Sequence, residues 1–306
     1  MHDAAPLPVT VIGGYLGAGK TTLVNHLLRH NGGRRIAVAV NEFGALPIDS
    51  DLIEGADGNV LTLAGGCICC SFGNDLVAGL IDLAARAHTI DHILIEASGV
   101  ALPGAIAQSL SLVAGLTLDA IVVIVDAETI RARATDFYMG DTITRQLTDA
   151  DLVVINKTDL ISADARAALQ QWLPAHAPSA RVIAANHAVV APDIVLGIDS
   201  TFTPPTPPIA HVTRAFATES FEFEHIVDAD RLAAGLADPA IGLVRAKGFA
   251  RDTLLGWVTV QVVGQRHHVT AAPTLADASG RIVCIAHGRR FDRTAIEALI
   301  AACRPS

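Results

Sequence analysis

Three groupings in this sequence combine residue types and spacings that serve chemistry: Gly14-x4-Gly19-Lys20-Thr21, Asn156-Lys157-Thr158-Asp159, and Cys67-x-Cys69-Cys70. The first lies in VTVIGGYLGAGKTTLVNHLL, an apolar strand, a glycine-rich turn and an amphipathic helix, the context that a phosphate-binding loop needs. Backbone N–H groups from Gly17 through Ala18, Gly19 and Lys20 to Thr21 would cradle phosphates, with Gly14 opening the turn and Thr22 next on the helix. Lys20 would reach the terminal phosphate oxygens, the Thr21 hydroxyl would coordinate Mg²⁺, and the helix N-terminus would add its dipole. Glu96, which ends the strand HILIE, is the second acidic group expected to face that Mg²⁺. Asp126, at the end of IVVIVD, is a weaker candidate of the same kind and is assigned no catalytic role.

Asn156-Lys157-Thr158-Asp159 follows the apolar strand LVVIN, so its side chains emerge at the carboxyl end of a sheet, where α/β folds bind ligands. A carboxylate at Asp159 accepts from both the ring N–H and the 2-amino group of guanine. Adenine offers neither donor there and would leave that carboxylate unpaired in a dry site. In company with the phosphate loop, the tetrad predicts GTP rather than ATP.

In an extended Gly65-Gly66-Cys67-Ile68-Cys69-Cys70, residues two apart point the same way, so Cys67 and Cys69 could share one ion and Cys70 could join after a turn. Thiolates favour Zn²⁺, Cu(I) and similar ions. Three thiolates fall one short of a closed structural site and leave a position for Glu42, water or an acceptor's ligand, an arrangement suited to delivery. Packed thiols or a redox pair are the plainer readings. Cys284 and Cys303 read as core residues.

The elements that would position these groups alternate through the first two thirds of the chain. Short β-branched runs at residues 9–12, 36–41, 92–96, 120–125, 152–156 and 181–184 interleave with helical patterns at 21–29, 74–86 and 163–173. This predicts an α/β P-loop NTPase domain with a mostly parallel sheet and helices on both faces. The proline-dense TFTPPTPPIAH reads as a stiff linker. Beyond it, strands at 216–223 and 257–263 with helices at 228–237 and 292–302 predict a smaller C-terminal α+β domain. The expected organisation is residues 1–200, a linker at 201–213, and residues 214–306.

A formal charge of −9 argues against a nucleic-acid or anionic-membrane partner. The N-terminus lacks the basic region of a signal peptide, and the uncharged stretch 97–118 is broken by Pro103, Gly104, Gln108, Ser109 and Ser111. It reads as a buried helix followed by a strand, in a cytoplasmic protein. Of 22 basic residues only Lys20, Lys157 and Lys247 are lysine; two lie in nucleotide motifs, which draws attention to Lys247.

With these motifs in order, the chain resembles the CobW family of P-loop GTPases. The resemblance rests on GGYLGAGKTTLVNHLL, on NEFG with Asp49 beyond it, on GGCICC, EASG and NKTDL, and on KGF and GRRFD in the second domain. It implies a GTP-hydrolysing metallochaperone that binds Zn²⁺ or Co²⁺ at the CxCC motif and delivers it to a client metalloprotein. By the same resemblance Lys20, Thr21, Glu96, Asn156, Lys157 and Asp159 serve the nucleotide and Mg²⁺, Cys67, Cys69 and Cys70 hold the transferred metal, and Glu42 joins them. Lys247 matches the lysine of the KGF motif. Gly65 replaces a frequent Asn, and no His-rich tract is present, His267-His268 being the only adjacent pair. No Gln or Arg is assignable from sequence as the group that positions water or stabilises charge, so intrinsic turnover is expected to be slow, below the ~1–100 s⁻¹ of kinases. A metal-responsive regulatory module that keeps its ion is the alternative, and a monomer and a dimer fit the sequence equally.

Overall fold

The computed structural model describes residues 6–40, 74–197, 216–272, 279–287 and 292–305, and they divide into one unit up to Val195 and another from Leu196. Glu42, Cys67, Cys69, Cys70 and the 201–213 segment lie outside the described residues.

In the first unit, β1 (Leu7–Gly13), β2 (Ile36–Val40), β3 (His92–Glu96), β4 (Leu116–Asp126), β5 (Leu152–Asn156) and β6 (Arg181–Ala184) form one sheet in the order β2-β3-β1-β4-β5-β6. All its pairings are parallel, from Val9↔Ile93 and Val11↔Ile121 to Val153↔Val182. Both β3 and β5 are buried at every position, as expected for apolar strands covered on two faces. One face packs Val9, Val11, Ile93 and Ile95 against Leu80 and Leu83 of α2 (Asn74–Ala85) and Ile106 and Leu110 of α3 (Pro103–Leu110). Another cluster joins Val123, Val125, Val153 and Ile155 to Ile143 and Leu147 of α5 (Gly140–Thr148) and Leu169 and Leu173 of α6 (Ala163–His176). The order reverses about β1, so a switch-point crevice opens at the carboxyl ends of the central strands. The chain leaves β1 there and enters α1 (Lys20–Arg29).

The uncharged stretch 97–118 folds as a turn, α3 and the start of β4. Among the described residues no helix is long and apolar enough to cross a membrane. The periodicity predicts that α6 ends at residue 173, before Pro174. The helix instead continues to His176, whose ring stacks on Trp172 at 3.8 Å and whose Nδ1 lies 3.0 Å from the Trp172 carbonyl, holding the last turn in spite of the proline's missing donor. Two short helices, α4 (Ile130–Ala134) and α7 (Pro192–Val195), complete this unit.

The second unit contains β7 (Phe216–Phe223), α8 (Ala229–Ala237), β8 (Leu243–Asp252), β9 (Gly256–Val263), β10 (Arg266–Ala271), β11 (Gly280–His287) and α9 (Arg293–Ala302). Its antiparallel sheet runs β10-β9-β8-β11-β7, and α8 and α9 bury Leu232, Leu236, Ile296 and Ile300 against Val258, Val260 and Ile282. Asp228 and Asp292 cap the two helices by accepting from Arg231 N and Ala295 N at 2.9 Å. Cys284 and Cys303 are buried in this core, and burial with the nearby Glu219 charge pushes the Cys284 thiol up to about 12. The KGF segment lies in β8, where Gly248 sits so close to β11 that a Cβ would fall 1.9 Å from the Arg281 carbonyl oxygen. Lys247 is half-buried opposite Gln261 and Val283, and His267 and His268 are exposed on the outermost strand β10.

Candidate nucleotide site

The glycine-rich loop between β1 and α1 has the shape of a phosphate cradle. Gly14 and Gly19 have φ of 135° and 108°, and a Cβ on Gly14 would stand 2.2 Å from the Ile124 carbonyl oxygen. Only glycine fits such a conformation against such a neighbour. Gly19 occupies the cap position of α1 with no side-chain cap, and the first turn holds no acidic residue, so the helix N–H groups and dipole are available to an anion. Lys20 is buried and donates from Nζ to the Gly14 and Tyr15 carbonyls at 3.0 and 3.4 Å. Gly17 (φ 77°) and Ala18 lie within the loop, and Thr22 is exposed on the first turn of α1.

At one side of the cradle the Thr21 hydroxyl donates to Glu96 Oε1 at 2.7 Å. Glu96 is 3 % exposed and ends β3, directly beside Ile12 of β1 in the parallel register. A hydroxyl and a carboxylate as close as this supply two hard oxygen donors of the kind Mg²⁺ takes.

On the other side, Asn156 ends β5 and points toward the phosphate loop rather than into solvent. Its Nδ2 donates to the Ala18 carbonyl at 2.9 Å while its Oδ1 accepts from Ala188 N at 2.8 Å. The tetrad's asparagine therefore ties the phosphate loop to a second loop after β6. Lys157 has a φ of 61° and its Nζ donates to Asp126 Oδ2 at 2.6 Å. Asp126 thus has a place in the site through Lys157. Thr158 donates from its backbone N–H to the Ala185 carbonyl at 3.4 Å and from its hydroxyl to Asn186 Oδ1, binding the tetrad to the same second loop. Asp159 lies in the short turn Thr158–Leu160 and is exposed.

That second loop, residues 185–190, is the part the sequence reading missed. His187 and Ala188 both have left-handed backbones, at φ 52° and 56°. Holding two successive non-glycine residues there costs on the order of 1–3 kcal/mol each, and the Asn156 and Thr158 bonds oppose that strain. His26 of α1 completes the frame. Its Nε2 lies 2.9 Å from the Val190 carbonyl, which can only accept, so this nitrogen carries the proton. Burial holds the His26 pKa below its ordinary value.

Residues 8–184 match the family described as CobW/HypB/UreG, nucleotide-binding domain. The chain belongs to that family. Residues 216–304 match the cobalamin synthesis protein CobW C-terminal domain. Among curated relatives, the zinc chaperone CobW of Pseudomonas aeruginosa is 34% identical over 232 residues, 65% of this chain and 62% of its own. The zinc-regulated GTPase metalloprotein activator 1 of Schizosaccharomyces pombe is 35% identical over 184 residues, 56% of this chain and 44% of its own. The zinc chaperone YjiA of Escherichia coli is 37% identical over 163 residues, 51% of this chain and 50% of its own. The chain therefore spans about half to three fifths of the length of these relatives. Among the described residues no group of three or more His, Cys, Asp or Glu is arranged to hold a metal ion.

Proposed function

We propose that this member of the CobW/HypB/UreG family is a GTP hydrolase that carries a zinc ion to a client metalloprotein, in the cytoplasm, and couples the nucleotide's hydrolysis to release of the ion. The observation that carries the nucleotide half is the meeting of Thr21 and Glu96 at 2.7 Å beside a glycine cradle that Asn156 ties to the guanine-side turn. One buried side chain joins the phosphate loop to the loop after β6.

Each residue then has a physical task. The cradle from Gly14 to Thr21 holds the phosphates by backbone N–H groups, and Lys20 exchanges its carbonyl contacts for phosphate oxygens. Thr21 and Glu96 would hold Mg²⁺, which when bound neutralises charge on the β and γ oxygens. Asp159 would accept from the guanine ring, and Lys157 stands beside it with its Nζ fixed by Asp126. Asn156 ties the loop after β6 to the phosphate loop, and Thr158 ties it to the tetrad. Cys67, Cys69 and Cys70, with Glu42, hold the zinc cargo. The three thiolates take Zn²⁺ or Co²⁺, and the relatives' names favour zinc. Residues 1–200 form the nucleotide domain, 201–213 the linker, and 214–306 the C-terminal α+β domain.

The nucleotide half is tested by titrating GTP and ATP against wild-type protein and Asp159→Ala. A GTP preference that disappears in the variant supports guanine recognition, and equal affinities in the wild type overturn it. Zinc stoichiometry tests the cargo half: one ion per chain, lost in the Cys67→Ser, Cys69→Ser, Cys70→Ser triple variant, is the expected result. Retention of that ion by the triple variant would place the metal elsewhere.

A further inference from the structure

The segment after Glu96 is held by a side chain that no motif includes. Ala97 N donates to the Ile12 carbonyl at 2.9 Å, and Ala101 N closes a tight turn onto the Ser98 carbonyl at 2.9 Å. On one side this turn presses on the phosphate loop: a Cβ on Gly99 would fall 2.6 Å from Leu16 Cδ2 and 2.8 Å from Leu16 N. Behind it lies Gln146 of α5, 2 % exposed, whose Nε2 donates to the Gly99 carbonyl at 3.2 Å and to the Ala101 carbonyl at 2.8 Å. A turn that carries two inward carbonyls needs donors, and a primary amide nitrogen supplies two from one atom. The opposite amide orientation would set three oxygens together, so the bonding network fixes which end of the amide faces the turn.

The geometry points to Gln146 as a positioning residue for phosphoryl transfer. It fixes the Ser98–Ala101 turn between the Mg²⁺-side carboxylate and the phosphate loop, in the place a terminal phosphoryl group must meet. This rests on the nucleotide reading above. A diphosphate is held by the cradle and needs the turn little, whereas a triphosphate and its transition state need it in place.

Gln146→Met keeps the length and bulk of the side chain and removes both donors. Misplacement of a positioning element by about 1 Å costs on the order of 100-fold, so we expect kcat to fall about 10- to 100-fold. The affinity for GDP should stay within about twofold, and that for a non-hydrolysable GTP analogue should fall. Gln146→Glu supplies a second readout. Above neutral pH its carboxylate faces two carbonyls and donates nothing. Burial raises the pKa of such a carboxyl, and once protonated its O–H can donate to one of the two. The ratio of its kcat to wild type should therefore rise as pH is lowered from 8 to 6. A side chain that merely fills space would weaken GDP and GTP analogue alike and leave that ratio flat, and either result overturns the proposal, as does wild-type kcat in Gln146→Met. If Gln146→Met does not fold, the pH ratio of Gln146→Glu decides. Wild-type protein that binds GTP without hydrolysing it would overturn the function reading, and the comparison of GDP with the triphosphate analogue would then decide whether Gln146 holds the turn for a terminal phosphate.

Discussion

Replacing Asn156 by alanine removes both ends of the strut that joins the phosphate loop to the second base-side loop. The Ala18 carbonyl loses a donor 2.9 Å away and Ala188 N loses an acceptor 2.8 Å away, and both residues are buried. Each group stranded without a partner costs about 1–3 kcal/mol, so taking about 1.5 kcal/mol for each gives about 3 kcal/mol. The strained His187 and Ala188 backbones lose their anchor in the same step. Both bonds are internal to the protein and their loss falls on the free and bound states alike, so at about 1.4 kcal/mol per decade the expected effect is about a 100-fold loss in the folding equilibrium. Urea unfolding of wild type and Asn156→Ala measures it directly. Asn156→Asp keeps the acceptor for Ala188 N but sets a carboxylate against the Ala18 carbonyl, so it separates the phosphate-side bond from the base-side bond. An unfolding free energy of Asn156→Ala within about 0.5 kcal/mol of wild type would show that the strut stabilises nothing, and these two bonds would then carry no such weight.

Gly14→Ala would place a Cβ 2.2 Å from the Ile124 carbonyl oxygen at φ 135°, and calorimetry should show no nucleotide binding in a chain that still folds. The His26 pKa is lowered by burial, so its contribution to stability is present above the unfolded value of 6.5 and is lost as pH falls through the folded value. The thermal midpoint should drop on acidification below that point, and His26→Gln should flatten the drop. Burial and the Glu219 charge raise the Cys284 thiol to about 12 from 9.0, so its contribution is present below 9.0 and lost as pH climbs through about 12. A thiol reagent applied to folded protein at pH 8 should leave Cys284 unmodified, and rapid labelling there would contradict the buried placement.

The phosphate loop was legible in the sequence because its chemistry is local: the strand, the glycines, Lys20 and Thr21 are consecutive, and their φ values follow from the residue types. The six parallel strands were legible for a related reason, since a strand buried on both faces reads as an unbroken apolar run. Strand β8 was less visible, because LVRAKGFARD alternates charged and small residues and its glycine is explained only by the Arg281 backbone beside it. The second base-side loop carries no composition that marks it. Its left-handed residues are His and Ala, held by Asn156 from another strand, and nothing within residues 185–190 shows that bond. Gln146 was hidden for the same reason, as its partners lie 45 and 47 residues away. Asn156 was expected beside the nucleotide and its cross-loop bonds were not, because a motif gives a residue's type and place but not the direction in which its amide points.

Zinc release measures the coupling of nucleotide to cargo without a known client. The protein is loaded with one zinc ion and Mg-GTP, a chromogenic chelator is added as acceptor, and transfer is followed alongside phosphate production, with a non-hydrolysable analogue in a parallel sample. Zinc should reach the chelator at the rate at which phosphate appears and stay with the protein in the analogue. Zinc that leaves equally fast in both samples, or that stays bound after every GTP is spent, would contradict it.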